Sequence, residues 1–165
     1  MENEKLPKRK RTRLKGFNYS TSGAYFITIC TENKKKLLCE IVGEGLCALP
    51  KIKLTETGEN VKQAILFMSQ RYPYISIDKY VIMPNHIHLL LQIKNQTGGH
   101  GDPPLQLFDI IGNFKSYTTH KNGKTLWQRS FHDHIIRDER DYQKIWNYID
   151  SNPYKWNEDC FFIEE

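Results

Sequence analysis

Met83-Pro84-Asn85-His86-Ile87-His88-Leu89-Leu90-Leu91 is the segment on which the fold turns. Side chains along a β-strand alternate between faces. Read as a strand over His86 to Ile93, it places Ile87, Leu89, Leu91 and Ile93 on one wholly aliphatic face, which must be core. His86, His88, Leu90 and Gln92 then share the other face. The two imidazoles point the same way, roughly 7 Å apart at the backbone, so that two ring nitrogens can converge on one divalent cation. Pro84-Asn85 is turn chemistry, and Ile75 to Met83 before it is strand-like, so the pair forms an antiparallel hairpin.

Working outward, Ala24 to Thr31 (AYFITICT) is a β-rich run preceded by glycine, and Leu37 to Val42 reads as a further strand. Gly43 to Lys53 is a hairpin or loop punctuated by Gly43 and Gly45. Leu54 to Arg71 is a helix with Thr55 as N-cap, Val61, Ile65 and Met68 at helical spacing, and Pro73 as its stop. Lys94 to Pro104 is a mobile Gly/Pro-rich loop. Leu105 to Thr119 is a second helix with Leu107, Ile110, Ile111 and Phe114 on one face. Trp127 to Ile136 is extended. The order of elements predicts an α+β fold, a ferredoxin-like antiparallel sheet with helices packed on it.

Asp138 to Asn152 is the third helix, N-capped by Asp138 and stopped by Pro153. Tyr142, Ile145, Trp146 and Ile149 fall at i, i+3, i+4, i+7 and form its core stripe. Tyr148 lies off that stripe, and Asn152 sits one turn beyond it on the same face. A phenol with a pKa near 10 is a poor nucleophile at neutral pH unless a cation assists it. From the helix alone, Tyr148 could equally pack at the core margin and Asn152 be a C-cap. A second His-x-His, His132-Asp133-His134, has an acidic middle residue. It therefore lacks a core face and reads as a surface or cleft edge, where His134 could touch a phosphate.

Composition bounds the function classes. With 165 residues, 39% apolar, the chain suits one folded domain, residues 21–165, behind a basic arm, residues 1–20. No apolar run approaches the ~20 residues needed to span a bilayer, and no signal peptide is evident, which predicts a cytoplasmic protein without membrane partners. Cys30, Cys39, Cys47 and Cys160 include no CxxC pair and read as reduced thiols, most of them packing residues. Residues 1–16 carry seven basic side chains, among them Arg9, Arg11 and Arg13, against two glutamates. Such a run suits a polyanion, though alone it is equally a solvated tail. Lys115 is a candidate phosphate contact, and Trp127, Gln128 and Arg129 combine the π-face, amide and guanidinium that suit single-stranded nucleic acid; core packing serves Trp127 as well.

The opening strand AYFITICT, the hairpin YVIMPNHIHLLL, the segment FKSY, the run LWQRSFHDHIIRD and the closing YIDSNP, in this order, resemble the REP-associated tyrosine transposases. These belong to the single-tyrosine HUH (His-aliphatic-His) transposase superfamily. The likeness runs from about Gly23 to Lys155. It implies a ferredoxin-like fold and cleavage of single-stranded DNA next to imperfect hairpins. By match of position it implies a divalent metal, magnesium or manganese, held by His86, His88 and Asn152, with Tyr148 as nucleophile. Where this chain has Asn152, related transposases often carry Gln. The reaction so implied passes through a 5′-phosphotyrosine, by a monomer or homodimer. Two other readings stand beside it. One is a hairpin-DNA-binding protein with a host role and no cutting activity. The other is a metal-dependent small-molecule enzyme, which in its non-haem iron form calls for two histidines and a carboxylate.

Overall fold

The histidine-bearing strand lies inside a four-stranded antiparallel sheet. The computed structural model describes residues 18–19, 21–43, 50–94 and 106–163. In chain order these form β1 (Gly23–Cys30), β2 (Cys39–Val42), β3 (Lys51–Leu54), α1 (Glu56–Arg71), β4 (Ile75–Met83), β5 (His86–Ile93), α2 (Leu107–Lys121), β6 (His132–Ile136), α3 (Glu139–Ser151) and a closing 3-10 helix (Asn152–Glu158). The main sheet has the order β4-β5-β1-β6, and β2 and β3 pair separately. Setting that small pair aside, the chain runs β-α-β-β-α-β, the ferredoxin-like arrangement.

The alternation read from the sequence becomes two cores. Ile87, Leu89, Leu91 and Ile93 join Tyr25, Ile27 and Ile29 of β1, and α1 and α2 cover them with Val61, Ile65, Leu107, Ile110 and Ile111. On the other face Leu90 packs with Val81, Met83, Ile149 and Trp156, under Tyr142, Ile145 and Trp146 of α3. Helices therefore lie on both faces, and the histidines belong to the α3 side. The roll of α3 is fixed at its outer edge. Tyr142 donates its hydroxyl proton to Asp78 at 2.8 Å, and Lys79 pairs with Asp150 at 2.5 Å beneath the Trp146 ring.

Several boundaries differ from the sequence expectation, each for a physical reason. Leu54 closes β3, because Lys51–Leu54 pairs with Cys39–Val42 in a hairpin; α1 starts after Thr55. The second helix starts at Leu107, where Gln106 and Asp109 form a capping box. Of the extended run from Trp127, only His132–Ile136 is strand, with one isolated bridge between Thr31 and Trp127. Pro153 does not stop the helical path. Asn152 keeps helical angles (φ −57°, ψ −43°), and the proline falls in the first turn of the 3-10 helix, where its missing N–H costs nothing. Cys30 and Cys39 are buried, and burial pushes their thiols up to about 11 and about 12, whereas Cys160 is exposed and is not a packing residue. Cys47, the basic arm with Arg9, Arg11 and Arg13, and most of the loop Lys94 to Pro104 lie outside the described residues.

The start of α1 is tied to the histidine hairpin. Pro84 O accepts from the backbone N–H of Leu37 and of Leu38, and Leu38 O accepts from the backbone N–H of Thr55. The Thr55 hydroxyl caps the helix by accepting from Gly58 N. A Cβ at Gly58 would stand 1.9 Å from Leu38 O, whereas at Gly112 in α2 nothing lies within 4 Å. Gly58→Ala should therefore destabilise by about 1–3 kcal/mol or more, the overpacking penalty, against a helix-propensity gain of about 1 kcal/mol. Gly112→Ala should stabilise by about 0.5–1 kcal/mol. Urea denaturation of the two variants beside the parent chain checks the opposite signs.

Candidate active site

His86 and His88 are fully buried, 0% and 1% exposed, and their Nε2 atoms stand 3.1 Å apart. Register places His86 between Cys30 and Met83, and His88 between Thr28 and Val81. Each Nδ1 is engaged away from the centre. Thr28 Oγ1 lies 2.8 Å from Nδ1 of His88, and Asn85 Oδ1 lies 2.9 Å from Nδ1 of His86.

The second contact fixes a tautomer. Asn85 Nδ2 donates to the Phe161 carbonyl at 2.8 Å, and a carbonyl only accepts, so Asn85 must turn its oxygen to His86. His86 therefore donates from Nδ1 and keeps its lone pair on Nε2, aimed at His88. That is the arrangement of a metal-ligating imidazole, in which an outer acceptor orients the ring. Burial pulls His86 down to about 4 and His88 well below its usual range, so both are neutral at pH 7.

Tyr148 and Asn152 arrive from α3 and its continuation. The Tyr148 hydroxyl is 3.4 Å from Nε2 of His88, and its ring packs edge-on to Phe26, which itself stacks on His88. Tyr148 remains 37% exposed, so solvent reaches it while the histidines are sealed. Burial, then Asp159 and Cys160, push its phenol up to about 12, and the Asn152 amide opposes them. Asn152 is 3% exposed; its Nδ2 donates to Asp159 Oδ2 at 2.7 Å, and its Oδ1 is buried with no hydrogen-bond partner. An unsatisfied buried amide oxygen costs about 1–3 kcal/mol unless something binds it. The two Nε2 atoms and this oxygen are a donor set that fits one divalent cation.

One member of the site escaped the sequence reading. Asp159 brings a carboxylate oxygen within 4.8 Å of the ligand atoms of His86 and His88, the metal-competent group among the described residues. It follows the 3-10 helix, and only the return of the chain brings it back; it lies beyond the helix stop read at Pro153, so no helical-face argument reached it. With Asp159 beside the two histidines, the carboxylate that a two-histidine, one-carboxylate site calls for is present. The second His-x-His is not part of this group. His132 and His134 are exposed, and His134 lies 2.8 Å from Asp141.

The candidates on the α2 side behave differently from the expectation. Trp127 is a core residue whose indole N–H donates to Thr118 Oγ1 at 2.7 Å beside Phe114, so base stacking is not its role in this structure. Lys115 donates to the carbonyls of Gln128 and Arg129, at 2.6 and 2.9 Å, and is spent on holding that loop. Gln128 and Arg129 remain at the rim of an open surface hollow of about 430 Å³ with Ser116, Thr119 and His120.

No family model matches the chain. An uncharacterised Haemophilus influenzae protein is 35% identical over 175 residues, covering 94% of both chains. A REP-associated tyrosine transposase of Escherichia coli is 27% identical over 138 residues, 83% of this chain and 70% of that protein. A second Haemophilus influenzae relative bearing that family's name is 25% identical over 146 residues. Over most of its length the chain is similar to the REP-associated tyrosine transposases. The fold agrees: a solved REP-associated tyrosine transposase bound to a REP hairpin superimposes with a TM-score of 0.60 at 23% identity, over 87% of this chain and 72% of that one. As a transposase relative the chain is a nucleic-acid-processing enzyme in the general sense. No helix among the described residues is long and apolar enough to cross a membrane.

The buried imidazoles give a pH signature to the metal-free protein. His86 has its folded pKa lowered from 6.5 to about 4, so the unfolded chain takes up the proton first as pH falls. The stability this site confers is complete above about 6.5 and is lost as pH falls through about 4. In EDTA, the urea midpoint should drop over that window, and the drop should be shallower in a His86→Gln, His88→Gln double variant.

Proposed function

We propose that this protein cuts and rejoins single-stranded DNA beside hairpins through a 5′-phosphotyrosine on Tyr148. The observation that carries the reading is that two Nε2 atoms stand 3.1 Å apart, the Tyr148 hydroxyl lies 3.4 Å from one of them, and Asn152, with a partnerless buried amide oxygen, lies beside both His86 and Tyr148. His86, His88 and Asn152 would hold magnesium or manganese there. A divalent cation so bound polarises a phosphate and lowers the barrier for a phenol otherwise held at about 12. Tyr148 supplies the nucleophilic oxygen. As its bond to phosphorus forms, the bond from phosphorus to the 3′ oxygen breaks, and the strand leaves with a free 3′-OH. Reversal by a 3′-OH rejoins strands, so no nucleotide cofactor is consumed. Phe26 and His88 hold the phenol ring by packing. The basic residues Arg9, Arg11 and Arg13 would add sequence-independent, salt-sensitive affinity, and Gln128 and Arg129 would meet the strand on the sheet's other side.

A non-haem iron enzyme acting on small molecules is a second reading, favoured by one observation, the Asp159 carboxylate beside the two histidines. Against it, both Asp159 oxygens already accept, from Asn152 Nδ2 and Phe161 N, at 2.7 Å each. The likeness to the REP-associated tyrosine transposases also points to DNA. A labelled single-stranded hairpin incubated with magnesium or manganese decides between them on a denaturing gel. A covalent adduct mapped by mass analysis to Tyr148, and abolished in Tyr148→Phe, is the expected result. His86→Ala and His88→Ala should each remove the adduct as well. Strand cleavage that persists unchanged in Tyr148→Phe sinks the mechanism, whereas a parent chain that binds the hairpin and leaves it uncut makes hairpin binding without cutting the surviving reading.

A further inference from the structure

Asp159 lies beside the candidate metal centre, yet its contacts point to a task other than ligation. Its Oδ2 accepts from Asn152 Nδ2 and its Oδ1 accepts from the backbone N–H of Phe161, each at 2.7 Å. The first of these decides which end of the Asn152 amide faces the imidazoles. With Nδ2 bound to a carboxylate, which can only accept, Oδ1 is left facing away from Asp159, buried and without a partner. A group that both donates and accepts, such as another amide or a hydroxyl, could meet either end of a flipped Asn152; a carboxylate cannot. Its negative charge also strengthens the bond and polarises the amide, which makes Oδ1 a better donor to a cation. The same carboxylate is held from the other side by the turn Trp156 to Phe162, where Asp159 N donates to Trp156 O and Phe162 N to Asp159 O. Position and orientation of Asn152 are thus set by separate parts of the chain, α3 and the turn after the 3-10 helix.

We propose that Asp159 is a positioning residue of the metal centre. It does not ligate the ion; it locks the Asn152 amide so that Oδ1 completes the site formed by His86 and His88. The inference rests on the metal-centre part of the function proposed above. It also accounts for an asparagine serving there: the shorter side chain needs a fixed partner to aim its oxygen.

A double-mutant cycle read by manganese binding tests this on the full-length chain, by calorimetric titration with manganese chloride alone. Asn152→Ala should weaken manganese binding, and Asp159→Ala should weaken it by about 10-fold or more, in the range found for outer residues that orient ligands. The double variant should bind no more weakly than Asn152→Ala, because Asp159 acts only through that amide. The isosteric Asp159→Asn has one acceptor oxygen for two donors, so it should show an intermediate loss and guards against misfolding of the alanine variant. Unchanged affinity in both Asp159 variants overturns the proposal. So does a double variant whose loss equals the product of the two single losses, which would make Asp159 an independent ligand. Absence of manganese binding to the parent chain overturns the metal centre and this inference together. If the cycle behaves as expected while Tyr148→Phe still cuts DNA, the tyrosine mechanism falls and the role of Asp159 stands.

Discussion

Strand β5 has no solvent side. Its pleat sends four aliphatic residues into the core beneath α1 and α2, and sends two imidazoles into the layer beneath α3. Burying an imidazole is tolerable only if its nitrogens find partners and it stays neutral. Much of the architecture on that side follows from this requirement. Thr28 of the neighbouring strand and Asn85 of the hairpin turn meet the outer nitrogens, while Phe26, Trp156 and Phe161 close around the rings. What is left uncompensated lies at the centre, where two Nε2 atoms and one amide oxygen converge.

The polar contacts around that centre form a chain of constraints, each fixing the next. The Phe161 carbonyl orients Asn85, Asn85 sets the His86 tautomer, and Asp159 orients Asn152. Phe161 serves at both ends, since its N–H also binds Asp159. The last described residues of the chain are thus part of the site's framework. Donor atoms held this way need little reorganisation on binding, which is how a small protein builds a strong site. Tyr148 differs in being held by ring packing and left open to solvent.

On the opposite helical layer, groups whose chemistry suggested a nucleic-acid surface are used for structure. The Lys115 ammonium holds two loop carbonyls, and Trp127 anchors the same loop through Thr118. Both side chains reinforce the bend that carries the chain from α2 to β6. Arg129 and Gln128 gain a fixed backbone from this, so the loop that displays them is rigid even though two of its members are not displayed.

Local rules were enough for much of the molecule. The period-2 pattern of β5 named its two faces, Thr55 and Asp138 announced helix starts, and the spacing of Tyr142, Ile145, Trp146 and Ile149 gave the buried side of α3. The sequence also supplied the residues of the centre in two short motifs, because each motif is set by backbone periodicity. Beyond that reach stood every feature that depends on a distant part of the chain. Lys51–Leu54 became a strand by pairing with β2, Gly58 was required by Leu38 O, and Trp127 turned inward toward Thr118. Asp159 met the histidines only after the chain passed Pro153 without leaving a helical path. Periodicity fixes which way a side chain points from its own element; only packing between elements fixes what it meets there.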